Sequence, residues 1–298
     1  MRQLASRVAI TSPELATLFP DRLQGYQVMF ATSTDYDLVR REFDHVQADE
    51  VLGFGGGQAI DLAKYLGARN DCPVIACPTI ISADACLVQE TAVRYGGLVH
   101  YLKTKKPDHL IIDHDLILSA PPHMNAAGWG DVFSIYTACF DWRLAGEDAA
   151  DTYNPEVARE ALALLEQAVP PTTKEGLDTL IYCLRREVEL SEQVGSARPE
   201  EGSEHYFVYC LENYLPPERK YLHGELVAVG IQRMAAWQGQ DVNRASSLFE
   251  RVGLRYRPEE IGVPQEAIAK TERELPAYVR RHTNLWYTIA NRRQPAEE

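Results

Sequence analysis

An α/β fold is predicted, with a doubly wound parallel sheet over residues 1–120 and an all-helical half over residues 121–298. Three observations predict it. Short β-branched runs alternate with helical stretches through the first half, at the spacing of strand–helix–strand units. From about Pro121 the helical period takes over. A length of 298 residues suits about two domains with separate cores.

The elements follow in order. Arg7-Val8-Ala9-Ile10-Thr11 reads as a strand and Pro13 to Leu23 as a helical crossover. Tyr26 to Ala31 is a second strand and Tyr36 to Phe43 a second helix. Glu50 to Phe54 is a third strand, running into Gly55-Gly56-Gly57, and Ile60 to Leu66 starts the next helix. Pro73 to Cys77 is a fourth strand, and Leu110-Ile111-Ile112 another. Residues 86–104 alternate apolar and polar around Gly96-Gly97, as a hairpin does. In the second half Asn154 is an N-cap with Pro155 in the first turn. Helices are expected over Gly176–Val194, Glu204–Leu215 and His223–Gln238, with two or three more short ones between Val242 and Arg281.

Lys plus Arg total 30 against 43 Asp plus Glu, a net charge of −13. That balance disfavours nucleic acid or an anionic membrane as partner, since both want a basic surface. It leaves room for a small anionic substrate, because a local basic cluster acts inside an acidic protein. Arg7 and Pro13 interrupt the first apolar stretch, so no signal peptide is expected, and no run nears the ~20 residues of a membrane span. Six cysteines lack any C-x-x-C pair and read as reduced, mostly buried thiols of a cytoplasmic protein.

Three segments carry chemistry. Gly55-Gly56-Gly57 lies between a strand and a helix N-terminus, where glycine lets the backbone turn sharply and approach a ligand. Free N–H groups and the helix dipole there favour a phosphate, although the turn also serves as structure alone, and G-x-G-x-x-G is absent. Asp61 and Lys64 share the next helix face and read as a surface pair or part of that site. Thr79, Ser82 and Asp84 follow the fourth strand, where open sheets bind ligands, but turn chemistry explains them as well. Asp131, His205 and His223 come from three helical segments and offer one carboxylate and two imidazoles to a divalent metal, or else are ordinary structural residues.

Taken together, GFGGGQAIDLAK, CPTIISADA, SAPPHMNAAGWGDVFSIYTACFDW, the EH at His205 and LHGELVAVG resemble, in order and spacing, the iron-containing alcohol dehydrogenase superfamily. Gly130-Asp131, Tyr136-Thr137 and Asp141-Trp142 are most similar to its glycerol-1-phosphate dehydrogenase branch, and the resemblance covers roughly residues 7–240. It implies a Rossmann-like nucleotide-binding domain, a dehydroquinate synthase-like helical domain and an active site between them. It implies NAD or NADP on Gly55, Gly56 and Gly57, with Asp61 and Lys64 in the same motif and Thr79 and Ser82 nearby. Asp84 would meet substrate hydroxyls, and Asp131, His205 and His223 would bind the metal. Iron-binding members carry a third histidine four residues after the aspartate; Ile135 stands there, which favours Zn²⁺. Lys103, Lys105, Lys106, Arg219 and Lys220 are candidates for a substrate phosphate, or a solvated basic surface. The chain departs from the family at its N-terminal side, where Thr11-Ser12-Pro13-Glu14 replaces the acidic residue that holds the adenosine ribose.

The implied activity is a metal-dependent NAD(P)-linked dehydrogenase of a small polyol or polyol phosphate. Its sharp form reduces dihydroxyacetone phosphate to sn-glycerol 1-phosphate. The alternatives are a sugar-phosphate cyclase like 3-dehydroquinate synthase and a noncatalytic relative with impaired cofactor binding. A homo-oligomer is expected.

Overall fold

A computed structural model describes residues 6–292. Contacts divide the chain into two compact units, Met1–Ala120 and Pro121–Glu298.

The first unit holds β1 (Arg7–Thr11), α1 (Pro13–Leu18), β2 (Gln27–Phe30), α2 (Tyr36–Phe43), β3 (Glu50–Gly55), α3 (Gly57–Asn70) and β4 (Val74–Pro78). After these come β5 (Glu90–Tyr95), β6 (Leu98–Lys103), β7 (His109–Leu110) and α4 (His114–Leu118). Five strands form a wholly parallel sheet in the order β2-β1-β3-β4-β7. Side chains alternate across it, as the period of two demands. Val8, Ile10 and Val51 pack with Val39, Phe43, Leu62 and Leu66 of α2 and α3 on one face. Ala9, Leu52 and Phe54 pack with Leu15, Phe19 and Leu23 on the other. Both faces are covered, which is why the strands read as near-continuous apolar runs. The sequence expectation is longer than the observed β7: Ile111 and Ile112 lie past the strand, although the Ile111 N–H still donates to the Ala76 carbonyl.

The hairpin β5–β6 pairs antiparallel with a two-residue connection. Gly96 and Gly97 adopt φ of +60° and +74°, the left-handed pair that such a turn requires.

The second unit is helical among the described residues: α5 (Pro122–Ala126), α6 (Trp129–Asp148), α7 (Pro155–Leu164), α8 (Lys174–Val194), α9 (Ser203–Leu211) and α10 (His223–Gln238). It continues with α11 (Val242–Val252), α12 (Pro258–Ile261), α13 (Gln265–His282) and α14 (Thr288–Asn291). Asn154 caps α7 as expected, accepting from the Glu156 and Val157 N–H groups. The helix expected over Glu204–Leu215 ends earlier, at Leu211, in a 3₁₀ turn over Glu212–Tyr214. The tail differs more. It holds an 18-residue helix, α13, with Pro276 in its interior. Proline argues for a break, but the buried face of Ala267, Ile268, Thr271, Leu275, Tyr278 and Val279 outweighs the lost bond.

Helix α6 is buried almost all round, from Trp129 through Asp141 and Trp142 to Ala145. A helix without a solvent face is the centre of its domain. Its neighbours are α9 and α10, and glycines set how close they come. A Cβ on Gly130 would lie 2.2 Å from the Gly224 carbonyl oxygen, and one on Gly202 would lie 2.7 Å from the Ala138 Cα. A Cβ on Gly230 would lie 2.7 Å from the Glu204 carbonyl oxygen. No larger residue fits these positions without moving a backbone.

Candidate metal centre and glycine turn

Asp131, His205 and His223 converge. One ligand atom from each lies within 4.8 Å of the others. Asp131 stands in the first turn of α6, His205 in the first turn of α9, and His223 opens α10. The close helix approaches at Gly130–Gly224, Gly202–Ala138 and Gly230–Glu204 bring these three turns together. Residues 131, 205 and 223 therefore meet although 74 and 18 positions separate them in sequence.

The His223 Nε2 faces the Asp131 Oδ1 at 3.7 Å, and the two imidazoles stand 5.4 Å apart between centroids. Asp131 and His205 are buried, while His223 is about a third exposed. Burial by itself pulls the His205 pKa down. The hydrogen bond to Glu204, with the charges of Glu201, Glu204 and Asp131, outweighs it and raises the value to about 9. Negative charge thus surrounds the imidazoles, as a cation site needs.

One carboxylate oxygen and two imidazole nitrogens fit a single divalent cation and leave coordination positions open. Glu204, which the sequence reasoning passed over, stands behind this trio. It is fully buried, and its Oε1 lies 3.0 Å from the His205 Nδ1. Its signal in sequence was only its place beside His205. Asp141 is a second buried carboxylate on α6. Backbone and hydroxyl groups of Ser203 and Thr288 donate to it, tying the starts of α9 and α14 to the central helix.

The residues expected to bind a nucleotide lie in the first unit. Gly55, Gly56 and Gly57 join β3 to α3, with Gly56 as N-cap. Gly55 has φ of +156°, a conformation that L side chains rarely adopt. Its carbonyl accepts from the Thr79 N–H at 3.0 Å, so the ends of β3 and β4 are joined. Cβ atoms on Gly56 and Gly57 would stand 3.3 Å from Ile80 and Ala85 side-chain atoms. Thr79 is buried, and Ser82 and Asp84 are partly exposed on the loop that follows β4. All lie at the carboxyl ends of parallel strands, where open sheets take ligands.

Asp61 and Lys64 are not the surface pair that the sequence allowed: Lys64 is buried and Asp61 is half-buried beside it. Lys64 has no exposed area, and its Nζ lies 2.8 Å from the Asp61 Oδ1. It also donates to the carbonyls of Ala85, Val88 and Glu90. The Thr91 hydroxyl donates to the Asp61 carbonyl. The pair pins the segment 85–91 to α3, with its ammonium donors taken up by that segment. Among the phosphate candidates, Lys105 is paired with Asp108 at 2.8 Å, and the Arg219 guanidinium lies 5.5 Å from the centre of the Tyr221 ring.

The model for the iron-containing alcohol dehydrogenase family matches residues 21–121. Over 248 residues the chain is 33% identical to a glycerol-1-phosphate dehydrogenase [NAD(P)+] of Aeropyrum pernix, covering 80% of this chain and 69% of that one. It is 31% identical over 282 residues to the protein of the same name from Hyperthermus butylicus, covering 89% and 80%. The fold is similar to that of a crystal structure of glycerol dehydrogenase from Schizosaccharomyces pombe. That match has a TM-score of 0.67 at 18% identity and covers 91% of this chain and 76% of the other.

Proposed function

The chain belongs to the glycerol-1-phosphate dehydrogenase family, and on that premise we propose that it is a metal-dependent, NAD(P)-linked dehydrogenase of a small polyol or polyol phosphate. In its sharpest form it interconverts dihydroxyacetone phosphate and sn-glycerol 1-phosphate. The observation that carries this reading is the convergence of Asp131, His205 and His223 within 4.8 Å.

These three residues hold the divalent cation, and Ile135 in place of a further histidine favours zinc over iron. A zinc ion bound there supplies a Lewis acid that lowers the pKa of a substrate hydroxyl. The backbone N–H groups of Gly55, Gly56 and Gly57 take the cofactor pyrophosphate at the start of α3. Thr79 and Ser82 add hydroxyl contacts to the cofactor, and Asp84 accepts from a substrate hydroxyl. Asp61 and Lys64 serve the same region indirectly, by holding the segment that contains Ala85. Bound NAD or NADP would supply the hydride chemistry, and these residues would serve it by binding and orienting the groups.

Among the described residues no helix is long and apolar enough to cross a membrane. Six buried free thiols and the charge of −13 support a cytoplasmic enzyme without a nucleic-acid partner, and a homo-oligomer is the assembly proposed. Light scattering reads that assembly directly.

The test is an assay of the zinc-loaded protein with dihydroxyacetone phosphate and either reduced nicotinamide, beside metal analysis of His223→Ala. Turnover with one nicotinamide and loss of zinc from the variant are expected. No turnover of any three- to six-carbon polyol or ketose phosphate sinks the reading, and equal zinc in both proteins sinks the ligand assignment.

A further inference from the structure

A fully buried carboxylate persists only where its oxygens are bonded. The Glu204 Oε1 accepts from the Gly202 N–H at 2.6 Å and lies 3.0 Å from the His205 Nδ1. Its Oε2 accepts from the Thr137 hydroxyl at 2.7 Å. The Oε1 already serves as acceptor to a backbone N–H, and in the same role it takes the Nδ1–H. The ring then has Nε2 as its coordinating nitrogen. The Gly202 and Thr137 bonds hold the carboxylate from two sides. One comes from the backbone at the start of α9, the other from α6, the helix that carries Asp131.

We propose that Glu204 is the positioning residue of the metal centre: it fixes the tautomer and ring orientation of His205, so that Nε2 is presented to a divalent cation shared with Asp131 and His223. The proposal rests on reading that trio as a metal site. Its chemistry is general, since a carboxylate on the far nitrogen of a ligating histidine holds the ring and strengthens it as a donor. Thr137 acts one step further back, by bracing the carboxylate.

Zinc affinity, measured by chelator competition, separates the possibilities. Glu204→Gln and Thr137→Val are compared with wild type, and the visible spectrum of each cobalt(II)-substituted protein is recorded. Glu204→Gln is expected to bind zinc about tenfold to a hundredfold more weakly and to shift the cobalt bands. Thr137→Val leaves Glu204 in place and should weaken zinc by a smaller factor, which keeps the idea testable if Glu204→Gln does not fold. Zinc affinity and cobalt spectra unchanged in the folded variants overturn the role of Glu204 and leave the trio standing. A wild-type protein that takes up neither metal overturns the trio and this proposal together.

Discussion

Gly130 and Gly224 meet backbone to backbone. A Cβ on the first would lie 2.2 Å from the carbonyl oxygen of the second, and a Cβ on Gly224 would lie 1.7 Å from the Ala127 carbonyl oxygen. Each glycine adjoins a member of the donor trio, Asp131 after the first and His223 before the second. The helix contact and the site geometry are therefore one feature.

Gly130→Ala is expected to force α6 and α10 apart. Overpacking of this kind costs about 1–3 kcal/mol, so calorimetry should show the thermal midpoint falling by several degrees. Zinc affinity should fall with it, because the same displacement separates Asp131 from His223. An unchanged midpoint would show that the contact is looser than described.

The pH dependence of zinc uptake has a definite sign. His205 in the metal-free protein has its pKa raised to about 9, so between pH 6.5 and 9 it carries a proton that a cation must displace. Apparent zinc affinity should rise by up to about tenfold per pH unit over that window and level off above it. The stability of the metal-free protein runs the opposite way. A folded-state pKa above the unfolded value of 6.5 stabilises fully below that value and loses the contribution as pH rises through 9. Zinc affinity that stays flat or falls across this range would contradict the protonation state assigned to His205.

Lys64→Met should destabilise the first unit strongly. Removing the ammonium leaves Asp61 and the carbonyls of Ala85, Val88 and Glu90 without their buried partner. Breaking a buried pair costs about 3–5 kcal/mol. Urea unfolding measures it, and Asp61→Asn combined with Lys64→Met should cost less than the two single changes added. Strict additivity would mean that the pair is not coupled.

All six cysteines are buried. Desolvation pushes the thiols of Cys86, Cys139 and Cys183 up to about 12 and that of Cys210 to about 11. A thiol-specific reagent at neutral pH should label the native protein slowly and all six positions only after unfolding. Rapid native labelling of any of these four would show that its helix or loop opens readily.

Local chemistry made much of this protein legible from its sequence. β-branched runs, the Gly96-Gly97 turn, the Asn154 cap and the triple glycine each act over a few neighbouring residues, and the elements form where those signals stand. Asp131, His205 and His223 were readable as residue types suited to a divalent cation, but spacing left them equally readable as structural residues. Only tertiary structure decided the rest. It buried Lys64 among carbonyls 21 to 26 residues away, carried α13 through Pro276, and bonded Glu204 to Thr137, 67 residues away. It also set Gly130 against Gly224, 94 residues away. These are contacts between elements distant along the chain, and their energies come from packing and desolvation that no local pattern of residues encodes.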